Sequence, residues 1–457
     1  MNTVFGAFAT LRNSMVAVLV FLLVILPGCV LKKSLGTTDE HAYASNHSST
    51  MQNKKERVNL VYSYGNTAVS KSTVEIIKKF MDKNPGIKVE MQVLPQSADF
   101  QYNAYVTALT SGDDSFDVFA GDIVWTPEFS TAGWIKDLGH KFPEQDQARF
   151  LKNAIDSCII SDSVFAVPWY TDTGVLFYRK DIIGTAPETW KELVEIARAN
   201  RDKVRYGFVL QAEQCESLVC NGLEYIWSSG GDVLVGDAVS INTPAAVAGL
   251  QTFVDLVNSD IVPPAVTNFQ ECDSRKVFKQ GEAIFMRGWM SEFAALNDGS
   301  SPVRGKVGIA ALPTDGTTGR VKAGGALGGA NLMINASSRH FDEAWKLMEF
   351  MTSYEMQVLN NTLCGALPTR KDAYDDMRVR EVNSWVQEIP KVLESSKFRP
   401  MFPFYPVMSN TMQENFYRAV KKEISSETAV RNIEKDFKDA MARYWIYDLT
   451  HFCRINK

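Results

Sequence analysis

The chain has 457 residues, 45% of them apolar and 22% charged, and carries a formal net charge of -5 at pH 7. That length supports two or three well-buried domains, and so few charges exclude a mainly disordered protein. The acidic balance argues against nucleic acid or anionic membrane as main partner, because both select clustered positive charge. The seven cysteines show no C-x-x-C pair and the five histidines no H-E-x-x-H setting, so no metal or cofactor is expected.

Residues 15–26 (MVAVLVFLLVIL) form an unbroken apolar run after Arg12. The run is too short for a comfortable membrane span of roughly 20 residues. One positive charge, a short apolar core and small residues at its exit read as a secretory signal over residues 1–28. Leu26-Pro27-Gly28-Cys29 resembles the bacterial lipobox, which implies lipidation of Cys29. A signal cut elsewhere, or a retained anchor, is the alternative. Residues 29–57 are rich in Ser, Thr, Asn, His and Lys and read as a flexible tether. Anchoring at a membrane surface outside the cytoplasm follows. Six cysteines then remain: Cys158, Cys215, Cys220, Cys272, Cys364 and Cys453. Disulfides and buried free thiols both stay open for them.

In the body, residues 58–64 (VNLVYSY) alternate as a strand does, and 73–83 place Val74, Ile77 and Phe80 on one helical face. Asn84-Pro85-Gly86 stops that helix, and 87–94 (IKVEMQVL) alternate again. Strand, helix, strand predicts parallel strands in an α/β sheet. A helix over 102–111 and a short buried strand over 116–120 (FDVFA) come next. Helices are expected over 190–199, 217–228, 244–257 and 341–351, and strands over 283–286, 307–311 and 331–335. The chain from Asp372 onward reads as mostly helical, including 411–424 and 428–447. No linker divides the body, so two lobes require the chain to cross between them more than once.

Catalytic templates are missing. There is no G-x-S-x-G elbow and no P-loop. Gly324-Gly325-Ala326-Leu327-Gly328-Gly329 lacks dinucleotide spacing and precedes a strand, which suits close backbone approach or a hinge. What stands out is aromatics beside carboxylates at expected loop positions. Asp122 and Trp125 follow FDVFA, and residues 168–174 (PWYTDTG) follow an apolar run. Arg287-Gly288-Trp289 follows AIFM, and Pro403-Phe404-Tyr405 lies in a Pro-rich segment. A sugar ring packs its C–H face on an aromatic ring, and its hydroxyls donate to carboxylates. Taken singly, such a tryptophan is usually core and such an aspartate usually a helix cap.

Six stretches together resemble the extracellular solute-binding proteins of ABC sugar importers, in the trehalose/maltose-binding group. They are FDVFAGDIVWTPEFSTAGWIKDL (116–138), FAVPWYTDTGVLFYRKDI (165–182), EYIWSSGGD (224–232), GEAIFMRGW (281–289), GGANLMINASS (328–338) and ALPTR (366–370). The resemblance implies a two-lobed periplasmic-binding-protein-like α/β fold with a three-segment hinge and a helical C-terminal segment. The lobes would comprise residues 58–172 plus 329–375, and 173–328 plus 376–457. It further implies that Asp122 and Asp172 accept sugar hydroxyls, that Tyr170 lines the cleft, that Trp289 stacks a sugar ring and that Gly329 offers backbone. Arg370 and Tyr405 are carried over at the third crossing and the C-terminal segment. Two features depart from many disaccharide-binding relatives: Ala330 stands where they have tryptophan, and 63–70 hold no acidic residue. A di- or oligosaccharide is the expected ligand, with a sugar different from or larger than trehalose or maltose left open, and ABC permease transmembrane subunits are the expected partners of a monomer. A secreted glycoside hydrolase with paired carboxylates, or a same-fold binder of a polyol or other non-sugar solute, is the alternative.

Overall fold

The computed structural model describes residues 57–67, 69–236, 238–316, 324–382 and 389–455. The expected signal, Cys29 and the expected tether through residue 56 lie outside them, as does the side chain of Cys453. The body opens with β1 (Val58–Gly65), α1 (Ser70–Lys83), β2 (Ile87–Leu94), α2 (Ala98–Thr110) and β3 (Val118–Asp122). β1 pairs in parallel with both β2 and β3, which the intervening helices make possible. Ile76, Ile77 and Phe80 of α1 are buried, whereas Val74, expected on the same face, is 48% exposed, and the helix gives way at Asn84, just before Pro85.

The remaining strands of the main sheet are β4 (Val167–Arg179), β5 (Tyr206–Val209), β6 (Ala283–Trp289), β7 (Val307–Ala310) and β8 (Leu327–Ile334). Eight strands form one sheet in the order β2-β1-β3-β8-β4-β6-β5, with β7 also paired to β4. β4 and β8 run antiparallel through its middle and carry it from one α/β lobe to the other. Two segments expected as loops are strand instead. Residues 168–174 lie within the 13-residue β4, and Arg287-Gly288-Trp289 completes β6. The reason is pairing: β4 is matched by β8 over its first half and by β6 and β7 over its second. Those ladders satisfy backbone groups that a buried loop would leave unpaired, and that outweighs turn-like local composition.

Seven helices complete the architecture used below: α3 (Trp190–Ala199), α4 (Glu216–Ser228), α5 (Pro244–Val257), α6 (Glu271–Lys279), α7 (Phe341–Met351), α8 (Tyr405–Val420) and α9 (Ser426–Ile455). Their starts are written locally. Thr189 and Glu192 form a capping box on α3, and Thr243 caps α5 with Pro244 at its first position. One core packs α1 and α7 against the β1–β3–β8 side through Leu60, Phe80, Val118, Leu332 and Leu347. A larger core joins Phe177, Phe208 and Phe285 of the sheet to α4, α5, α8 and α9. Trp125 and Trp169 belong to these cores, 5% and 0% exposed, and are not free loop aromatics.

The glycine-rich stretch brings backbones together. A Cβ on Gly325 would stand 2.0 Å from the carbonyl oxygen of Gly174. Lys397 then accepts from Leu327 N and donates to Gly325 O, at 2.7 and 3.0 Å. Cys158, Cys215, Cys220, Cys272 and Cys364 are free thiols. Cys215 stands at the position before α4 and Cys220 lies within it, and the closest pair in sequence is unbridged.

Candidate functional site

A cavity of about 220 Å³ lies beside the ends of β3 and β6, the middle of β4 and the start of β8. Asp122, Tyr170, Asp172, Trp289 and Gly329 all line it. Asp122 ends β3 and caps the short 3₁₀ turn Ile123–Trp125, its Oδ1 accepting from Val124 N at 3.2 Å. The same oxygen takes Arg399 Nη2 at 2.6 Å. Tyr170 and Asp172 are two residues apart on β4 and so share a face. Asp172 is 6% exposed. It accepts from Thr173 N at 2.9 Å, from Ser291 N at 3.2 Å and from Ser291 Oγ at 2.5 Å. Burial pushes its carboxyl up to about 6, against the pull of those hydrogen bonds.

Trp289 ends β6 half-buried. Its Nε1 donates to Glu271 at 3.3 Å and its backbone N to Glu292 at 3.1 Å. The Arg287 guanidinium lies 4.4 Å from its ring centroid and is itself locked to Glu224 by bonds of 2.9 and 2.6 Å. The ring edge rests against Gly328, where a Cβ would stand 2.7 Å from it. Gly329 has φ +117°, and a Cβ there would meet Tyr170 O at 2.3 Å. Only glycine fits between β8 and β4 at that point.

The structure does not bring Arg370 or Tyr405 to the cavity wall. Arg370 pairs with Asp372 at 2.9 and 2.5 Å and lies over the Phe150 ring. Local ion pairing on a short turn holds it there. Tyr405 is buried with its hydroxyl on Glu216. It lines a separate 260 Å³ cavity with Tyr102, Ser409 and Gln413. Tyr405 therefore reaches the main cavity through Glu216 and through Arg399, whose guanidinium lies 5.9 Å from its ring centroid.

Several wall residues carried no signal in the sequence. Arg399, 2% exposed, bridges Asp122 and Glu216 at 2.6 and 2.7 Å. Glu216 opens α4 and also accepts from Ser409 at 2.5 Å. Burial raises its carboxyl pKa, opposed chiefly by Arg399. Glu271 takes Ser217 Oγ at 2.6 Å. Glu292 takes Arg275 Nη1 at 3.1 Å, and burial pushes its carboxyl up to about 7 despite that partner. The helix expected over 217–228 begins one residue earlier, at Glu216, and no spacing in the sequence linked Glu216 or Arg399 to Asp122. The wall thus combines carboxylates, hydroxyls and one indole with two guanidiniums, Arg275 and Arg399, that are paired to Glu292 and to Asp122 and Glu216, a surface suited to a neutral, hydroxyl-rich guest.

This fold and cleft define a two-lobed binding protein. The model of the bacterial extracellular solute-binding protein family matches residues 64–358, and the chain belongs to that family. It is 28% identical over 379 residues to a probable ABC transporter-binding protein of Deinococcus radiodurans, covering 79% of this chain and 89% of that one. The maltose-bound structure of T. maritima MalE3 superposes with a TM-score of 0.80 at 35% identity, over 84% of this chain and all of the other. A solute-binding protein of Thermotoga lettingae bound to α-D-tagatose gives 0.75 at 25% identity, over 83% and 99%. The protein is a substrate-binding component of an ABC importer and works outside the cytoplasm.

Proposed function

We propose that this protein captures a saccharide of two or more units in the 220 Å³ cavity and delivers it unchanged to its permease. One observation carries the reading: Asp122, Gly329, Tyr170, Asp172 and Trp289 come from four neighbouring strands, β3, β8, β4 and β6, and line a single cavity. Asp122 and Asp172 accept ligand hydroxyls, and Trp289 packs against a ring face. The lobes divide near residues 172, 328 and 375, and closure is favoured because only the closed form offers both walls to the ligand. The maltose held by the T. maritima relative supports a disaccharide or longer cargo. The protein is a monomeric lipoprotein, anchored through Cys29 after removal of residues 1–28.

A thermal-shift screen against mono-, di- and oligosaccharides and polyols tests this. A ligand at 100 times its Kd adds about 2.7 kcal/mol to stability. A clear rise in Tm with a saccharide, followed by recovery of the intact sugar, is the expected result. Cleaved sugar would favour a glycoside hydrolase, and no shift with any saccharide would overturn the reading.

A further inference from the structure

The second side-chain torsion of a tryptophan is broad and roughly twofold, so packing alone does not decide which edge of an indole faces which way. Around Trp289, Gly328 lies against one ring edge, where a Cβ would stand 2.7 Å from it, and the Arg287 guanidinium lies 4.4 Å from the ring centroid. Both contacts accept the ring in either orientation. The indole N–H is the ring's one donor, and it meets Glu271 Oε1 at 3.3 Å. That bond tells the two orientations apart.

Glu271 is itself held in place. It opens α6 half-buried and lines the cavity, and the same Oε1 accepts Ser217 Oγ of α4 at 2.6 Å. α6 is also tied to the strand that carries Trp289. The buried Gln211 amide donates to Ser274 Oγ on α6 at 2.5 Å and to Arg287 O on β6 at 3.0 Å. The carboxylate thus has a fixed place relative to the indole, and hydrogen bonds to ionised acceptors are the stronger kind.

We infer that Glu271 is a positioning residue for saccharide binding: it selects the indole orientation that Trp289 offers to a guest, and it acts through that ring. This rests on the saccharide-capture reading above.

A double-mutant cycle, read by calorimetric titration of maltose, tests the claim. Glu271→Ala should weaken binding about threefold or more, in keeping with the net worth of one hydrogen bond. In a Trp289→Ala background the same change should add less than about 1.5-fold. Glu271→Gln keeps an acceptor oxygen at the same reach and should bind within about 1.5-fold of wild type. If Glu271→Ala does not fold, judged by circular dichroism, Glu271→Leu replaces it, keeping bulk while accepting no hydrogen bond.

A second readout needs no ligand. The Trp289 indole N–H proton resonance, assigned by its loss in Trp289→Ala, should move upfield in Glu271→Ala and stay near its wild-type position in Glu271→Gln. Equal affinity losses in both backgrounds would make Glu271 a direct sugar contact and overturn the inference. So would unchanged affinity, a Gln variant no better than Ala, or an unmoved resonance. Wild type that binds no maltose would count against the capture reading instead, and the resonance alone would then decide whether Glu271 sets the ring.

Discussion

The Arg399 guanidinium holds the Asp122 carboxylate at 2.6 Å, and its other nitrogen holds Glu216 at 2.7 Å. One buried cation thus ties the end of β3 to the start of α4 across the cavity. Removing one partner of such a buried network leaves uncompensated charge, which costs about 3–5 kcal/mol. Arg399→Ala should lower unfolding stability in urea by about 3 kcal/mol. Arg399→Lys should recover only part of the loss, because a point charge does not span two carboxylates as a planar fork does. A loss below about 0.5 kcal/mol would show the bridge to be weak.

Trp289→Ala removes the ring proposed to stack on the sugar. A buried stacking ring is worth on the order of 1 kcal/mol, so affinity for a bound saccharide should fall at least about fivefold. Titration calorimetry reads this directly. Affinity held within about twofold would remove Trp289 from the binding wall.

Burial places the Asp172 carboxyl at about 6 and the Glu292 carboxyl at about 7. The folded protein therefore keeps protons that the unfolded chain releases above about pH 4. The stability from these groups falls as pH rises through that window. Glu292→Gln removes one such proton, so its Tm relative to wild type should improve between about pH 5 and about pH 8. A constant difference would contradict the assignment. Sugar affinity should move the other way, rising with pH through about 6 as Asp172 ionises and becomes a better acceptor.

Arg287 and Glu224 are each 1% exposed and joined at 2.6 Å, and Glu224 also accepts from Ala326 N at 2.9 Å. The pair thereby fixes the glycine-rich segment where β8 begins. Glu224→Ala should cost about 3–5 kcal/mol in chemical denaturation. Because Arg287 underlies the Trp289 ring at 4.4 Å, tryptophan fluorescence should change as well. Normal stability with unchanged fluorescence would count against both roles.

Much of the frame was legible in the sequence. Period-two alternation marked β1 and β2, and helical spacing with Asn84-Pro85-Gly86 bounded α1. The 168–174 stretch misled because its Pro, Asp and Gly are turn formers, while long-range pairing with β8, β6 and β7 made it the central strand. The resemblance pointed to five residues that line the cavity. It did not foresee Arg399, Glu216, Ser291 or Glu292 beside them, because their closeness arises from segments far apart in sequence.

On the proposed function, carboxylates and an indole from two lobes hold a saccharide without altering it. Titration calorimetry of wild-type protein with maltose and maltotriose, followed by chromatography of the recovered ligand, tests it most directly. One site per chain, with all sugar returned intact, is the expected result. Heat from a polyol or amino acid but from neither sugar, or recovery of glucose, would contradict it.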